Sequence, residues 1–186
     1  MDKQKPIVAV VGDGIIEPGS TKELLAEELG RRLVDHGYRL LTGGLGGVMA
    51  AAARGARGSS CHTSGDIIGI LPDDDVVEVN PWIDIALPTG LGHARNSIVA
   101  HADAVVAVGG GAGTLSEICF AWLHDRLIIA LDCPGWSARV AGAPLDGRRR
   151  FETMDDDQVW RAADPAQVLI LLEDHLPRYR ASLDLS

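Results

Sequence analysis

One stretch constrains this chain more than any other. Residues 102–117 read ADAVVAVGGGAGTLSE. Ala104 to Val108 is a short, valine-rich run bounded by Asp103 and by glycine. Such a run reads as a strand buried on both faces, the kind that parallel sheets use. Gly109, Gly110 and Gly111 follow without a spacer. Thr114 then opens a segment in which Leu115, Ile118, Cys119 and Trp122 recur at helical spacing. The unit is strand, glycine turn, helix start. Its turn exposes backbone N–H groups, and the helix adds a partial positive charge at its N-terminus, so the two together suit a phosphate. Glycine serves there because a Cβ would hinder both positive φ angles and the close approach of a ligand.

Glu117 has two readings from spacing. Thr114-x-x-Glu117 is a capping box, in which the glutamate reaches back to the backbone at the helix start. The same spacing occurs at Ser20 and Glu23, where no chemistry is in sight. The other reading makes Glu117 a functional carboxylate beside the anion cradle.

The rest of the chain repeats the unit. Ile7 to Val11 predicts a first strand, followed by Gly12-Asp13-Gly14 and a helix from about Thr21 to His36 with Ser20 as its cap. Leu24, Leu25, Leu29, Leu33 and Val34 are expected on its inner face. Tyr38 to Thr42 predicts a second strand, and Gly43-Gly44-Leu45-Gly46-Gly47 turns into an alanine-rich helix from Val48 to about Ala56. Asp66 to Leu71 and Asp84 to Leu87 predict two more strands. The triplet Asp73, Asp74 and Asp75 between them is expected to be a solvated loop. Pro88-Thr89-Gly90 leads to a helix over about 92–101, and Leu127 to Leu131 is a further strand. Positions 135–157, rich in Gly, Pro, Arg and Asp, predict a loop of little regular structure. Asp164-Pro165 begins a last helix, expected to stop near Pro177.

Strands alternating with helices predict an α/β fold: a single doubly wound, mostly parallel, Rossmann-like sheet with helices on both faces. The 186 residues suit one domain, with an irregular segment at about 135–160 and a C-terminal helix. Ligands of such sheets bind outside the carboxyl ends of the strands. Gly12 to Gly14, Gly43 to Gly47, Pro88 to Gly90 and Gly109 to Gly113 all follow strands, so they are expected to converge on one edge. That convergence points to a nucleotide-like ligand. The usual dinucleotide fingerprint is missing, since Gly12-Asp13-Gly14 lacks its third glycine and no acidic residue ends the second strand; this argues against NAD.

Composition narrows the partners. A net charge of −9 argues against nucleic acid and anionic membrane surfaces. No apolar run approaches a membrane span, and the N-terminus lacks the design of a signal peptide. The three cysteines, Cys61, Cys119 and Cys133, are odd in number and lack metal-ligand spacing. A cytoplasmic protein without a metal site is expected.

The motifs GGLGGVM (43–49) and GHARNSIVAHADAVVAVGGGAGTLSE (92–117), with the order of elements, resemble the family often labelled "possible lysine decarboxylase". That family includes the Lonely Guy phosphoribohydrolases and the molybdenum cofactor carrier proteins. The resemblance covers about residues 6–132. The decarboxylase label does not suit this chain, whose only lysines, Lys3, Lys5 and Lys22, lie near the N-terminus. In the hydrolases, an arginine on the helix before the central strand and the glutamate of a PGGxGTxxE motif serve hydrolysis of a nucleoside 5′-monophosphate. Arg95 and Glu117 match those positions and are the candidate catalytic residues.

The resemblance implies phosphate or ligand contacts at Gly12, Asp13, Gly14, Gly43, Gly44, Gly46, Gly47, Met49, Thr89, Gly90, Arg95, Asn96, Gly109, Gly110, Gly111, Gly113 and Thr114. Two departures matter. Asn96 stands where the hydrolases have lysine, and Gly109 stands where they have proline. VGGGAGTLSE and PTGLGHARN are closer to the carrier branch, described as related to DNA-processing proteins of the Rossmann type. The expected ligand is therefore a phosphate-bearing, nucleotide-like molecule: the molybdenum cofactor, or a nucleoside monophosphate that a phosphoribohydrolase would cleave without a cofactor. A module that senses a nucleotide is a third reading. A homodimer or higher homo-oligomer is also expected, because Ile98, Val99, Ile118, Phe120 and Trp122 exceed one inner stripe.

Overall fold

The computed structural model describes residues 5–183. Seven strands form one sheet: β1 (Ile7–Gly12), β2 (Arg39–Thr42), β3 (Ile67–Leu71), β4 (Ile85–Pro88), β5 (Ala104–Val108), β6 (Leu127–Leu131) and β7 (Trp160–Ala162). Their order is β4-β3-β2-β1-β5-β6-β7, and every pairing is parallel. The helices are α1 (Thr21–Asp35), α2 (Gly47–Arg57), α3 (Asn96–Val99), α4 (Ala112–Leu123), α5 (Trp136–Val140) and α6 (Pro165–Leu183).

Period-2 geometry divides the core between the two faces of the sheet. Val8, Val10, Val106 and Val108 join a cluster with Leu29 and Leu33 of α1, Ala52 of α2 and Leu172 of α6. Ala9, Val11, Val105 and Ala107 pack on the other face with Val99, Ile118 and Trp122. Both neighbours of each central residue are thus buried, which is why these strands read as continuous apolar runs.

The chain runs from β1 outward through β2, β3 and β4, then returns to lay β5 against the other side of β1. The connections leaving the carboxyl ends of β1 and β5 therefore diverge, which opens the crevice where doubly wound sheets bind ligands. Gly12 pairs with Val108 at that edge. A Cβ on Gly12 would strike the Val108 carbonyl and Val48, so a larger residue cannot stand there.

Four expectations need correction. Leu24 is exposed, because the buried stripe of α1 runs through Ala26, Leu29, Leu33 and Val34, nearly opposite on the helix. The helix expected over 92–101 is a 3-10 turn, Gly92–Arg95, followed by the single turn of α3. The irregular stretch contains α5 and runs into β7, and an antiparallel bridge joins Ala143 to Val159. Arg150 organises it: the side chain is fully buried, stacks over Trp122 with its guanidinium carbon 3.7 Å from the ring centre, and binds both oxygens of Asp157. Finally, α6 continues past Pro177 to Leu183. Val168, Leu169, Leu172, Leu176 and Tyr179 form one buried stripe through that position, so packing outweighs the single backbone hydrogen bond a proline removes.

Candidate functional site

The carboxyl ends of β1, β2 and β5 border an open cleft of about 460 Å³. Gly12, Asp13, Gly14, Gly43, Met49, Arg95, Asn96, Gly111, Gly113, Thr114 and Glu117 line it, and His93 and Ile15 stand at its mouth. The other sequence-derived positions lie elsewhere. Thr89 closes the β3–β4 end with its hydroxyl on the Leu71 carbonyl at 2.7 Å, and the Gly90 N–H donates to the Asp73 carbonyl. Gly44, Gly46 and Gly47 shape the second glycine turn from behind. Asn80, which no sequence signal marked, clamps that turn by donating to the Gly44 and Leu45 carbonyls.

Three helix N-termini point toward this edge, and they are not equivalent. α1 is capped by Ser20, whose Oγ accepts from the Glu23 N–H, while Glu23 accepts from the Gly19 N–H. At α2 the Val48 N–H donates to the Asp13 carbonyl at 2.9 Å. α4 has no side-chain cap: its N-cap is Gly111. A helix leaves its first N–H groups without intrahelical partners, and here they open onto the cleft.

The start of α4 also corrects the capping-box reading of Glu117. Gly109 and Gly110 take φ angles of +64° and +93°, which bend the chain so sharply that Ala112 is already helical. Thr114 thereby becomes the third helical residue rather than the cap. Its side chain fills the space a Cβ on Gly110 would need.

Glu117 instead points at Arg95. Nη1 of Arg95 donates to Oε1 of Glu117 at 3.0 Å, and the two residues are only 8% and 7% exposed. Burial pushes the Glu117 carboxyl up to about 7, against the opposing pull of Arg95. Gly43 makes room for the guanidinium, since a Cβ there would meet Arg95 and the sulfur of Met49. Arg95 Nε is buried and has no hydrogen-bond partner. Asn96 lines the cleft while its Nδ2 donates to Ser116 Oγ at 2.7 Å and braces the first turns of α4.

Sequence reasoning missed two supports of the glycine turn. The Gly109 N–H donates to Ser137 Oγ at 2.8 Å, and the N–H groups of Trp136 and Ser137 return to the Gly110 and Gly109 carbonyls. Asp13 Oδ2 accepts from the Gly110 N–H at 2.8 Å and from Lys22 Nζ at 2.6 Å. Neither Ser137 nor Lys22 lies in a recognisable motif. Among the described residues no group of three or more His, Cys, Asp or Glu side chains could hold a metal ion, and Asp73, Asp74 and Asp75 are exposed. No described helix is long and apolar enough to cross a membrane.

A parallel sheet with an uncapped helix start and a buried Arg–Glu pair in its switch-point crevice places the chain among the Rossmann-like α/β proteins. Within that class, residues 5–169 match the SLOG cluster4 family, and the chain belongs to it. It is similar to the molybdenum cofactor binding protein of Rippkaea orientalis, at 35% identity and TM-score 0.74 over 92% of this chain and 97% of that one. It is also similar to the molybdenum cofactor carrier protein of Chlamydomonas reinhardtii, at 33% identity and TM-score 0.72 over 91% and 98%. The cytokinin riboside 5′-monophosphate phosphoribohydrolase of Oryza sativa is 26% identical over 85% of this chain and 69% of its own length.

Proposed function

We propose that this protein binds one phosphate-bearing, nucleotide-like molecule in the cleft, with the phosphate on the first turn of α4, and that the molybdenum cofactor is that ligand. The observation that carries this reading is the bare N-terminus of α4 beside Arg95. A 12-residue helix presents donors and a positive dipole end to the cleft, and Arg95, a buried arginine whose Nε has no partner, is among the residues that line the same space. An unpaired donor on a buried arginine costs free energy, and an anionic ligand would satisfy it together with the exposed N–H groups of the helix start. The resemblance to the two molybdenum cofactor proteins supports the choice of ligand. Mass spectrometry of small molecules released from the purified protein tests it. A phosphorylated pterin in the released fraction is the expected result. A protein that carries no phosphorylated compound and fails to take up added cofactor would refute it.

Hydrolysis of a nucleoside 5′-monophosphate is the second reading. It is favoured by the Arg95–Glu117 pair on the cleft wall and the likeness to the rice enzyme. Cleaving an N-glycosidic bond builds positive charge on the ribose, which an ionised Glu117 would stabilise while Arg95 held the phosphate. We rank it second because Glu117 already neutralises Arg95 and titrates near neutrality. Release of ribose 5-phosphate from AMP, reduced about a hundredfold in Glu117→Gln, would reverse the ranking.

The protein is further proposed to work as a homodimer built on α3 and α4. Val99, Ile118 and Trp122 are buried within the chain, so the case rests on Ile98 and Leu123, at 41% and 55% exposure, with the half-buried Phe120 beside them.

A further inference from the structure

The glycine turn before α4 holds an anion of the protein's own. Its backbone donors divide into two sets. The Gly109 N–H is spent on Ser137 and the Gly110 N–H on Asp13. Donors begin to face the cleft freely only at Gly111, where α4 starts without a cap. Asp13 comes from the far side of the crevice, 97 positions away in sequence, and its carboxylate occupies the place a ligand oxygen would take at Gly110. Lys22 binds the same oxygen at 2.6 Å and lies over Gly109, so closely that a Cβ there would meet Oδ2 of Asp13 at 2.6 Å and Cε of Lys22 at 2.7 Å. Asp13 also lines the cleft, and its side chain remains 27% exposed.

We infer that Asp13 is a resident anion that fills the Gly110 end of the cradle and selects a single phosphate over a diphosphate. The inference rests on the phosphate site proposed for the first turn of α4, where the 92%-buried Arg95 leaves its Nε unpartnered. One phosphate fits the donors from Gly111 to Thr114. A second phosphate extending along the turn would meet the Asp13 carboxylate, with two negative charges competing for one N–H group. With the Gly110 N–H and the Lys22 ammonium both taken by that carboxylate, a second phosphate finds no free donor at this end of the turn. Lys22 explains why a carboxylate can rest so near an anion site in the first place. It neutralises Asp13, so a single phosphate further along the turn is tolerated.

NMR titration of the 15N-labelled protein with inorganic phosphate and with pyrophosphate tests this. In the native protein phosphate is expected to shift the Gly111, Ala112, Gly113 and Thr114 amides, leave Gly110 in place, and bind at least as tightly as pyrophosphate. In Asp13→Ala the Gly110 amide should also respond, and the affinity for pyrophosphate relative to phosphate should rise about tenfold. Asp13→Asn, which keeps the hydrogen bond and removes the charge, should raise that ratio less. The spectra report directly whether each variant is folded, and the native titration stands without them. A native Gly110 amide that moves with the others, or tighter native binding of pyrophosphate, overturns the role of Asp13 alone. So does a folded Asp13→Ala with an unchanged ratio. No response at Gly111 to Thr114 to either anion removes the phosphate site and this inference together.

Discussion

Glu117 is a buried carboxylate on the wall of the cleft, and its burial makes a prediction about pH. The carboxyl is raised to about 7 in the folded chain from an ordinary value of 4.5. A carboxyl raised on folding favours the native state while it is protonated. That contribution is fully present below the unfolded value, and it is lost as pH rises through the folded one. Denaturant titrations of the ligand-free protein should therefore show native stability falling relative to Glu117→Gln by about 3 kcal/mol between pH 4.5 and pH 8. Parallel pH profiles for the two proteins would contradict this. The same titration bears on function. If Glu117 faces a developing cation it must be ionised, so any hydrolysis should rise with pH through about 7.

At the scale of elements, α1 and α2 approach each other closely. Two glycines make that approach possible. A Cβ on Gly30 would run into the backbone of Ala52, and one on Gly55 into the backbone of Glu27. Arg54 of α2 then reaches Glu23 and Glu27 of α1 at 2.8 and 2.7 Å. Backbone cannot yield as a side-chain tip can, so Gly55→Ala should force the helices apart and cost about 3 kcal/mol, despite the better helix propensity of alanine. Urea denaturation checks this, and an unchanged or raised midpoint would show that the pair is more loosely packed. Displacing α2 should also disturb the Val48–Asp13 contact that anchors the first glycine loop.

For the whole molecule, the question is what covers the outer side of α3 and α4. The two helices are locked together by Asn96 on Ser116, by Ser97 on His124, and by the rings of His101 and His124 at 3.8 Å. Ile98 and Leu123 project from this rigid pair. Light scattering at micromolar concentration should give a dimer for the native chain and a monomer for Leu123→Glu, because a charge on each partner would be buried in the interface. A native monomer would rule out this assembly.

Much of this protein is legible in its residues alone. The doubly parallel sheet follows from runs such as Ala104 to Val108, since only strands buried on both faces lack a polar alternate residue. The glycine turns were legible as well, because the positive φ angles of Gly44, Gly47, Gly109 and Gly110 at strand ends favour a residue without a Cβ. Arg95 and Glu117 were found through resemblance to a motif, and spacing left Glu117 divided between a cap and a carboxylate of the site. Only the tertiary structure decided that. It starts α4 at Ala112 and sets Arg95, from 22 positions upstream, against the Glu117 carboxyl. It also decided which of several similar helix starts stays open. α1 is closed by its own Ser20, as the sequence indicates, but the others depend on what comes from elsewhere: the Asp13 carbonyl at α2, and for the turn before α4 the Asp13 carboxylate and Ser137. Periodicity reports the face a residue presents to its neighbours along the chain. Which distant group arrives to meet it is a property of the packed sheet.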